Sequence, residues 1–211
     1  AVAMARAQLE AGVSKVVATP HVSRTFPNRS SEIRERLGEL SDALDRESLA
    51  LTVEMGAEVS ASAAMQLDDQ ELASLRLGDS RWLLIEPPSS VDSVGILSMV
   101  GEIQMRGHRV LIAHPERVDA FRRDPGVLES IIRGGARTQV TASALNGRFG
   151  QSAKHFAEEL LAADLVNVVS SDSHDTVGRP PGLLSELEKA GKEEMVQALC
   201  VDGPAAMLDD C

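Results

Sequence analysis

Val110-Leu111-Ile112-Ala113-His114-Pro115-Glu116-Arg117 sets four aliphatic residues directly against an imidazole, a proline and two charges. The first half reads as a short buried strand, and Pro115, with no N–H to give a ladder, marks its end. The same succession recurs along the chain. Val16-Val17-Ala18 runs into Thr19-Pro20-His21, Leu51 to Met55 into Gly56-Ala57-Glu58, and Trp82 to Ile85 into Glu86-Pro87-Pro88. Leu165 to Val169 runs into Ser170-Ser171-Asp172-Ser173-His174-Asp175, and Thr138 to Thr141 is a sixth strand signal.

Helical patterns fill the intervals. Ala1 to Ala11 is stopped by Gly12, and Ser30 to Arg46 carries Ile33, Leu37, Leu40 and Leu44 on one face, with Ser31 as candidate N-cap. Val91 to Arg106 ends at Gly107, Pro125 opens a helix ended by Gly134-Gly135, and Gln151 to Ala163 precedes the last strand. Strand–helix alternation at this spacing predicts an α/β fold with a parallel sheet and outer helices. Six strands fit an open doubly wound sheet and a barrel alike. Beyond Gly178 the pattern turns wholly helical, with Pro180-Pro181 as the break.

A chain of 211 residues suits one domain, 1–211, ending in a helical segment at 180–211. Four Phe, one Trp and no Tyr leave the core to aliphatic residues and offer no stacking platform for single-stranded nucleic acid. A formal net charge of -11 argues against nucleic acid as a partner, but a small phosphorylated ligand remains open because metal ions can invert a local field. Cys200 and Cys211 suggest no disulfide framework, which favours a reducing, cytoplasmic setting. No apolar run reaches the length of a membrane span. Ala1 falls inside an apparent helix without an initiator Met, so an upstream stretch is expected.

In parallel α/β folds the strands' C-terminal ends converge on the face where ligands bind. His21, Glu58, His114, Asp172 and His174 all follow strands and are the candidate metal ligands. Mixed imidazole and carboxylate donors suit Zn²⁺, Mn²⁺ or Fe²⁺. In an extended Asp172-Ser173-His174, alternation would point both ligands to one side. Any one of these residues alone reads as a loop hydrogen-bonding residue or a helix cap; five on one predicted face read as a site. Glu86 is either a site residue or a buried structural carboxylate. Arg117 and Arg179 are candidates for gripping phosphate oxygens, against the alternative of surface ion pairs. His108 and His155 follow no strand and read as packing or surface residues. A cysteine-phosphatase loop, a Gly-x-Ser-x-Gly elbow and both glycine-rich phosphate loops are absent from the sequence.

At Ala18-Thr19-Pro20-His21, Gly56-Ala57-Glu58, Leu84-Ile85-Glu86-Pro87, Ile112 to Arg117 and Ser171-Asp172-Ser173-His174, the chain resembles the PHP (polymerase and histidinol phosphatase) superfamily. More closely, it is similar to the manganese-dependent tyrosine-protein phosphatases of bacterial capsule and exopolysaccharide clusters. Gln139 to Ser143 and Gly147-Arg148-Phe149-Gly150 match in order. The resemblance implies a distorted TIM-like (β/α)7 barrel holding two or three ions, Mn²⁺ first, with Fe²⁺, Zn²⁺ or Mg²⁺ as alternatives. It implies His21, Glu58, His114, Asp172 and His174 as ligands, Glu58 bridging, and Arg117 and Arg179 on the phosphate, with Glu86 beside them. The implied substrate is phosphotyrosine on a polysaccharide-assembly tyrosine autokinase, attacked in line by metal-activated water. A small phosphoester such as histidinol phosphate, or an inactive scaffold, are the other expectations. The family's first strand, bearing Asp-x-His-x-His, does not occur here. The expectation is either an upstream stretch of roughly 25–35 residues or a truncated product with an exposed strand edge.

Overall fold

In the computed structural model, residues 1–88 and 92–210 are described. Val91, where the sequence reading starts a helix, and Cys211 lie outside them. The chain opens with α1 (Val2–Glu10), β1 (Lys15–Ala18), β2 (His21–Val22), α2 (Ser30–Arg46), β3 (Thr52–Met55) and β4 (Glu58–Ser60). Then come α3 (Ala61–Ala64), α4 (Asp69–Ser74), β5 (Trp82–Glu86), α5 (Ser93–Met105), β6 (Arg109–Ala113), α6 (Asp119–Arg123) and α7 (Pro125–Arg133). It closes with β7 (Arg137–Thr141), α8 (Gln151–Ala162), β8 (Val168–Ser170), α9 (Leu183–Lys189) and α10 (Gly203–Leu208).

The α/β class and the parallel sheet hold, and no closed barrel is found among the described residues. Six strands pair in the order β2-β4-β5-β6-β7-β8, all parallel, while β1 and β3 form a separate parallel pair. Among the described residues β2 pairs only with β4 and β8 only with β7, so the sheet is open at both edges. Gln8 of α1 donates to Ser173, beyond β8, at 3.1 Å.

The first two strands of the sequence reading are each followed by a second short strand that it did not name. Pro20 interrupts the run from β1 to β2, and Gly56-Ala57 the run from β3 to β4. A hydrogen bond from Glu58 N to the Pro20 carbonyl, 3.1 Å long, carries the pairing across the break. Gly56 is required there: a Cβ would meet Leu77 and Val17 side chains at 2.9 Å. The last strand starts at Val168 rather than Leu165. The cap of α2 also differs from expectation. Ser31 lies within the first turn, and Glu71, 41 residues from Ser30, accepts from Ser30 N at 2.7 Å and Ser30 Oγ at 2.9 Å. A distant carboxylate thereby satisfies an orphan donor and complements the helix dipole.

Alternation along the strands sorts their residues onto two faces. Leu83, Ile85, Val110, Ile112, Val140 and Val169 pack with Ile96 and Ile103 of α5, Leu128 and Ile131 of α7 and Phe156 of α8 in the main core. Each such aliphatic side chain contributes about 1.5–3 kcal/mol on full burial. The opposite, inner face holds a smaller cluster of Leu77, Trp82, Leu84, Leu111, Ala113, Val168 and Met207. The register runs His21–Glu58–Leu84–Leu111 from strand to strand. His21 and Glu58 therefore share the inner face with Leu84, and Glu86 follows Leu84 by two residues on that same face.

Candidate metal centre

Two- and three-residue strands suffice to aim the first ligands. His21 opens β2 and Glu58 opens β4, paired to one another in register. Glu58 Oε1 lies 3.8 Å from His21 Nδ1 and 3.0 Å from His114 Nε2, and His114 Nε2 lies 3.9 Å from Glu86 Oε1. One ligand atom from each of His21, Glu58 and Glu86 falls within 4.8 Å of the others. Glu86, read from sequence as a catalytic candidate or a structural carboxylate, thus stands among the candidate metal donors.

Glu58 and His114 are buried, Glu86 and His21 half-buried. Burial opposes ionisation of Glu58, but the His114 hydrogen bond and the charges of His114, His21 and Arg117 outweigh it and hold the carboxyl below its usual range. The site keeps its anion without bulk water. His114 sits just past β6 with φ at 34°, and Asp172 just past β8 with φ at 46°. Left-handed backbone in non-glycine residues is costly and gathers at functional sites, where the surrounding packing holds it. His114 Nδ1 is buried and finds no partner among the described residues. Its ring is aimed by backbone, packing and the contact of Nε2 with Glu58.

Arg117 Nη1 donates to Asp172 Oδ2 at 2.7 Å, and Arg179 Nη2 donates to the same oxygen. Arg179 Nη1 also donates to His174 Nε2 at 3.1 Å, and His174 Nδ1 donates to the Asp172 carbonyl at 3.0 Å. Asp172 is not extended, so strand alternation does not align it with His174; the left-handed turn does. The His174 and His21 rings stand 5.8 Å apart, which joins this cluster to the first. All eight residues singled out from sequence therefore meet at one end of the sheet. His108 is buried against Arg76, and His155 is exposed beside Glu159, both away from the site.

Three neighbours were given no role in the sequence reading. Phe149 lies under both guanidinium groups, 4.6 Å from Arg117 and 5.8 Å from Arg179. Phe26 stacks on His21 with centroids 5.6 Å apart. Glu116 is fully buried and accepts from Thr141 N at 3.1 Å; burial pushes its carboxyl up. For the two phenylalanines the available signal was scarcity: in a chain with four Phe, two occupy loops rather than core.

The combination of a parallel sheet with imidazoles and carboxylates at its strand ends and a facing arginine pair defines a metal-site α/β fold. The family model for capsular polysaccharide synthesis, CpsB/CapC, matches residues 1–209. This chain belongs to the CpsB/CapC family. Tyrosine-protein phosphatase YwqE of Bacillus subtilis (strain 168) is 32% identical over 177 residues, 83% of this chain and 70% of that protein. CapC of Staphylococcus aureus is 30% identical over 80% of this chain and 66% of its own length. Tyrosine-protein phosphatase CpsB of Streptococcus pneumoniae is 28% identical over 94% of this chain and 86% of its own. A solved structure from work on YwqE and pneumococcal CpsB, described as unique metal-dependent tyrosine phosphatases, matches with TM-score 0.84 at 30% identity. It covers 99% of this chain and 86% of that one. The adenine deaminase of Arthrobacter aurescens shares the fold alone, at TM-score 0.51 and 16% identity.

Proposed function

We propose that this chain is a metal-dependent phosphatase acting on phosphotyrosine in protein, with a tyrosine kinase of capsule or exopolysaccharide assembly as the natural substrate. One observation carries the reading: His21, Glu58 and Glu86 offer ligand atoms within 4.8 Å of one another, on the face where Arg117 and Arg179 converge. The names of YwqE and CpsB, and the metal dependence stated for their structures, support it.

The donor set fits a borderline metal, since nitrogen and carboxylate oxygen are mixed, no thiolate is near among the described residues and the Glu58 carboxyl is held below its usual range. His21, Glu58, Glu86 and His114 would hold one part of a two- or three-ion centre, and Asp172 and His174 another, with Mn²⁺ the preferred metal. Bound there, such ions lower the pKa of water and offset charge on the departing oxygen. Arg117 and Arg179 supply planar, permanently charged donors that match two phosphate oxygens. Asp172 holds both guanidinium groups in one place; a carboxylate shared with a cation would grip them less and leave their N–H groups to the phosphate. The barrel of the PHP type stays part of the proposal only as the parent architecture of this open sheet, with 1–211 as one domain. A cytoplasmic location suits a chain of two cysteines, and among the described residues no helix is long and apolar enough to cross a membrane.

The test is hydrolysis of a phosphotyrosine peptide beside histidinol phosphate. The expected result is peptide turnover that stops with chelator and returns with added Mn²⁺. Full turnover in chelator, or turnover of histidinol phosphate alone, contradicts the reading.

A further inference from the structure

Phe26 is the most exposed aromatic residue of the chain's interior loops that touches a candidate ligand. It keeps 51% of its surface in contact with solvent, whereas Trp82, Phe121 and Phe156 are buried. Its position is fixed rather than loose. Ser23 N donates to the Phe26 carbonyl at 2.9 Å, Phe26 N donates to Ser23 Oγ at 3.1 Å, and Val22 bridges Pro27 antiparallel. Asn28 Nδ2 donates to the His21 carbonyl at 2.8 Å, tying the far side of the turn back to the ligand strand.

The turn holds one ring face against His21, nearly parallel at 21°. A half-exposed ring with one covered face has the other available to a ligand. Exposing an aromatic surface has no benefit for folding, since burial of such a side chain is worth several times more than most surface contacts. The other loop phenylalanine cannot do the same work, because Arg117 and Arg179 already lie over Phe149. Beyond His174, whose ring stands 5.8 Å from that of His21, the loop carries Val177, 88% exposed. A phosphate held between the His21–Glu58–Glu86 donors and the arginine pair would have Phe26 close by, because that ring stacks on His21.

From this arrangement we infer that Phe26 is a specificity-determining residue, stacking on the aromatic ring of an aryl phosphate and so favouring aryl over alkyl phosphoesters. The inference rests on the phosphatase reading and adds to it the element that selects the ester group. Offset or edge-on stacking of this kind changes affinity by about fivefold for one aromatic pair.

The experiment is calorimetric titration of phenylphosphonate and methylphosphonate, neither of which is hydrolysed, into the full chain with Mn²⁺ present. Wild type, Phe26→Leu and Phe26→Trp are compared. The expected result is a preference for phenylphosphonate in wild type that drops about fivefold in Phe26→Leu and returns in Phe26→Trp. A Leu variant that weakens both phosphonates equally would show that Phe26 only steadies His21, and one that keeps the whole preference would show no role; either overturns the inference alone. A wild-type protein that binds neither phosphonate overturns the phosphatase reading and this inference together.

Discussion

The two ends of the sheet carry comparable numbers of polar side chains and use them in opposite ways. At the strands' N-terminal end, Trp82 Nε1 donates to Asp210 at 2.9 Å, and Arg109 pairs with the same carboxylate at 2.6 Å. Arg109 and Arg137 lie over the indole at 5.5 and 5.1 Å, and Arg81 N donates to the Asp210 carbonyl at 3.0 Å, so the chain's end is stitched beneath the sheet. These groups hold one another, although His108 Nε2, at the same end, finds no partner among the described residues. At the C-terminal end, imidazoles and carboxylates crowd together, two backbones are left-handed, and His114 Nδ1 and Glu116 Oε2 find no partner among the described residues. One end spends its polar groups on holding the fold. The other gathers imidazoles, carboxylates and two guanidinium groups around one place, which is what a ligand site requires.

Separate roles for the two ends imply separable mutations. Glu58→Gln removes the carboxylate that lies 3.8 Å from His21 and 3.0 Å from His114. Mn²⁺-supported turnover should fall by more than about a hundredfold, the upper end of what changes behind a metal ligand cost, with thermal unfolding little altered. Trp82→Ala should do the reverse. Thermal or urea unfolding should show a loss of about 3–5 kcal/mol, while kcat per folded molecule stays near wild type. A Trp82 variant whose kcat collapses would mean that the two ends are not independent. Arg117→Lys keeps the charge but loses the planar fork; kcat/KM should drop about tenfold or more, mostly through KM.

Smaller effects sharpen the picture. Phe149→Leu leaves both arginines but removes the ring beneath them, and a two- to fivefold rise in KM is expected. His108, at the N-terminal end, gives a pH effect on stability alone. Burial, then the charges of Arg76 and Arg106, hold its pKa below the ordinary value, against the weaker opposing pull of Asp69. The unfolded chain therefore takes up a proton first as pH drops below about 6.5. Stability is full above that pH and declines below it, by at most about 1.4 kcal/mol per pH unit, until the folded histidine is itself protonated. Urea midpoints of wild type and His108→Asn between pH 5 and 8 check this: the variant should show the flatter acid limb.

Much of the site was legible because a strand of aliphatic residues announces its own end, and the residue just past that end faces the ligand. His114, Asp172 and Glu86 follow from this rule. His21 and Glu58 were legible as residues but not as strands, because two or three residues after a proline or glycine carry no alternation to read. Barrel closure is a property of strand neighbours far apart in sequence, and no local pattern encodes it. The cap of α2 failed for a related reason: Ser31 has the right chemistry, but Glu71 arrives from a distant helix and supplants it. Phe26 and Phe149 lie in loops without periodicity, so only their contacts reveal them. The expectation of extended backbone at Asp172 was defeated by the turn that lets two arginines reach its carboxylate.

The central claim is that His21, Glu58, Glu86 and His114 together bind metal. Crystals grown with Mn²⁺ and measured at the manganese absorption edge test it most directly. An anomalous peak among those four side chains is the predicted result; a fully soaked crystal with no peak there, or with manganese only elsewhere on the molecule, would contradict it.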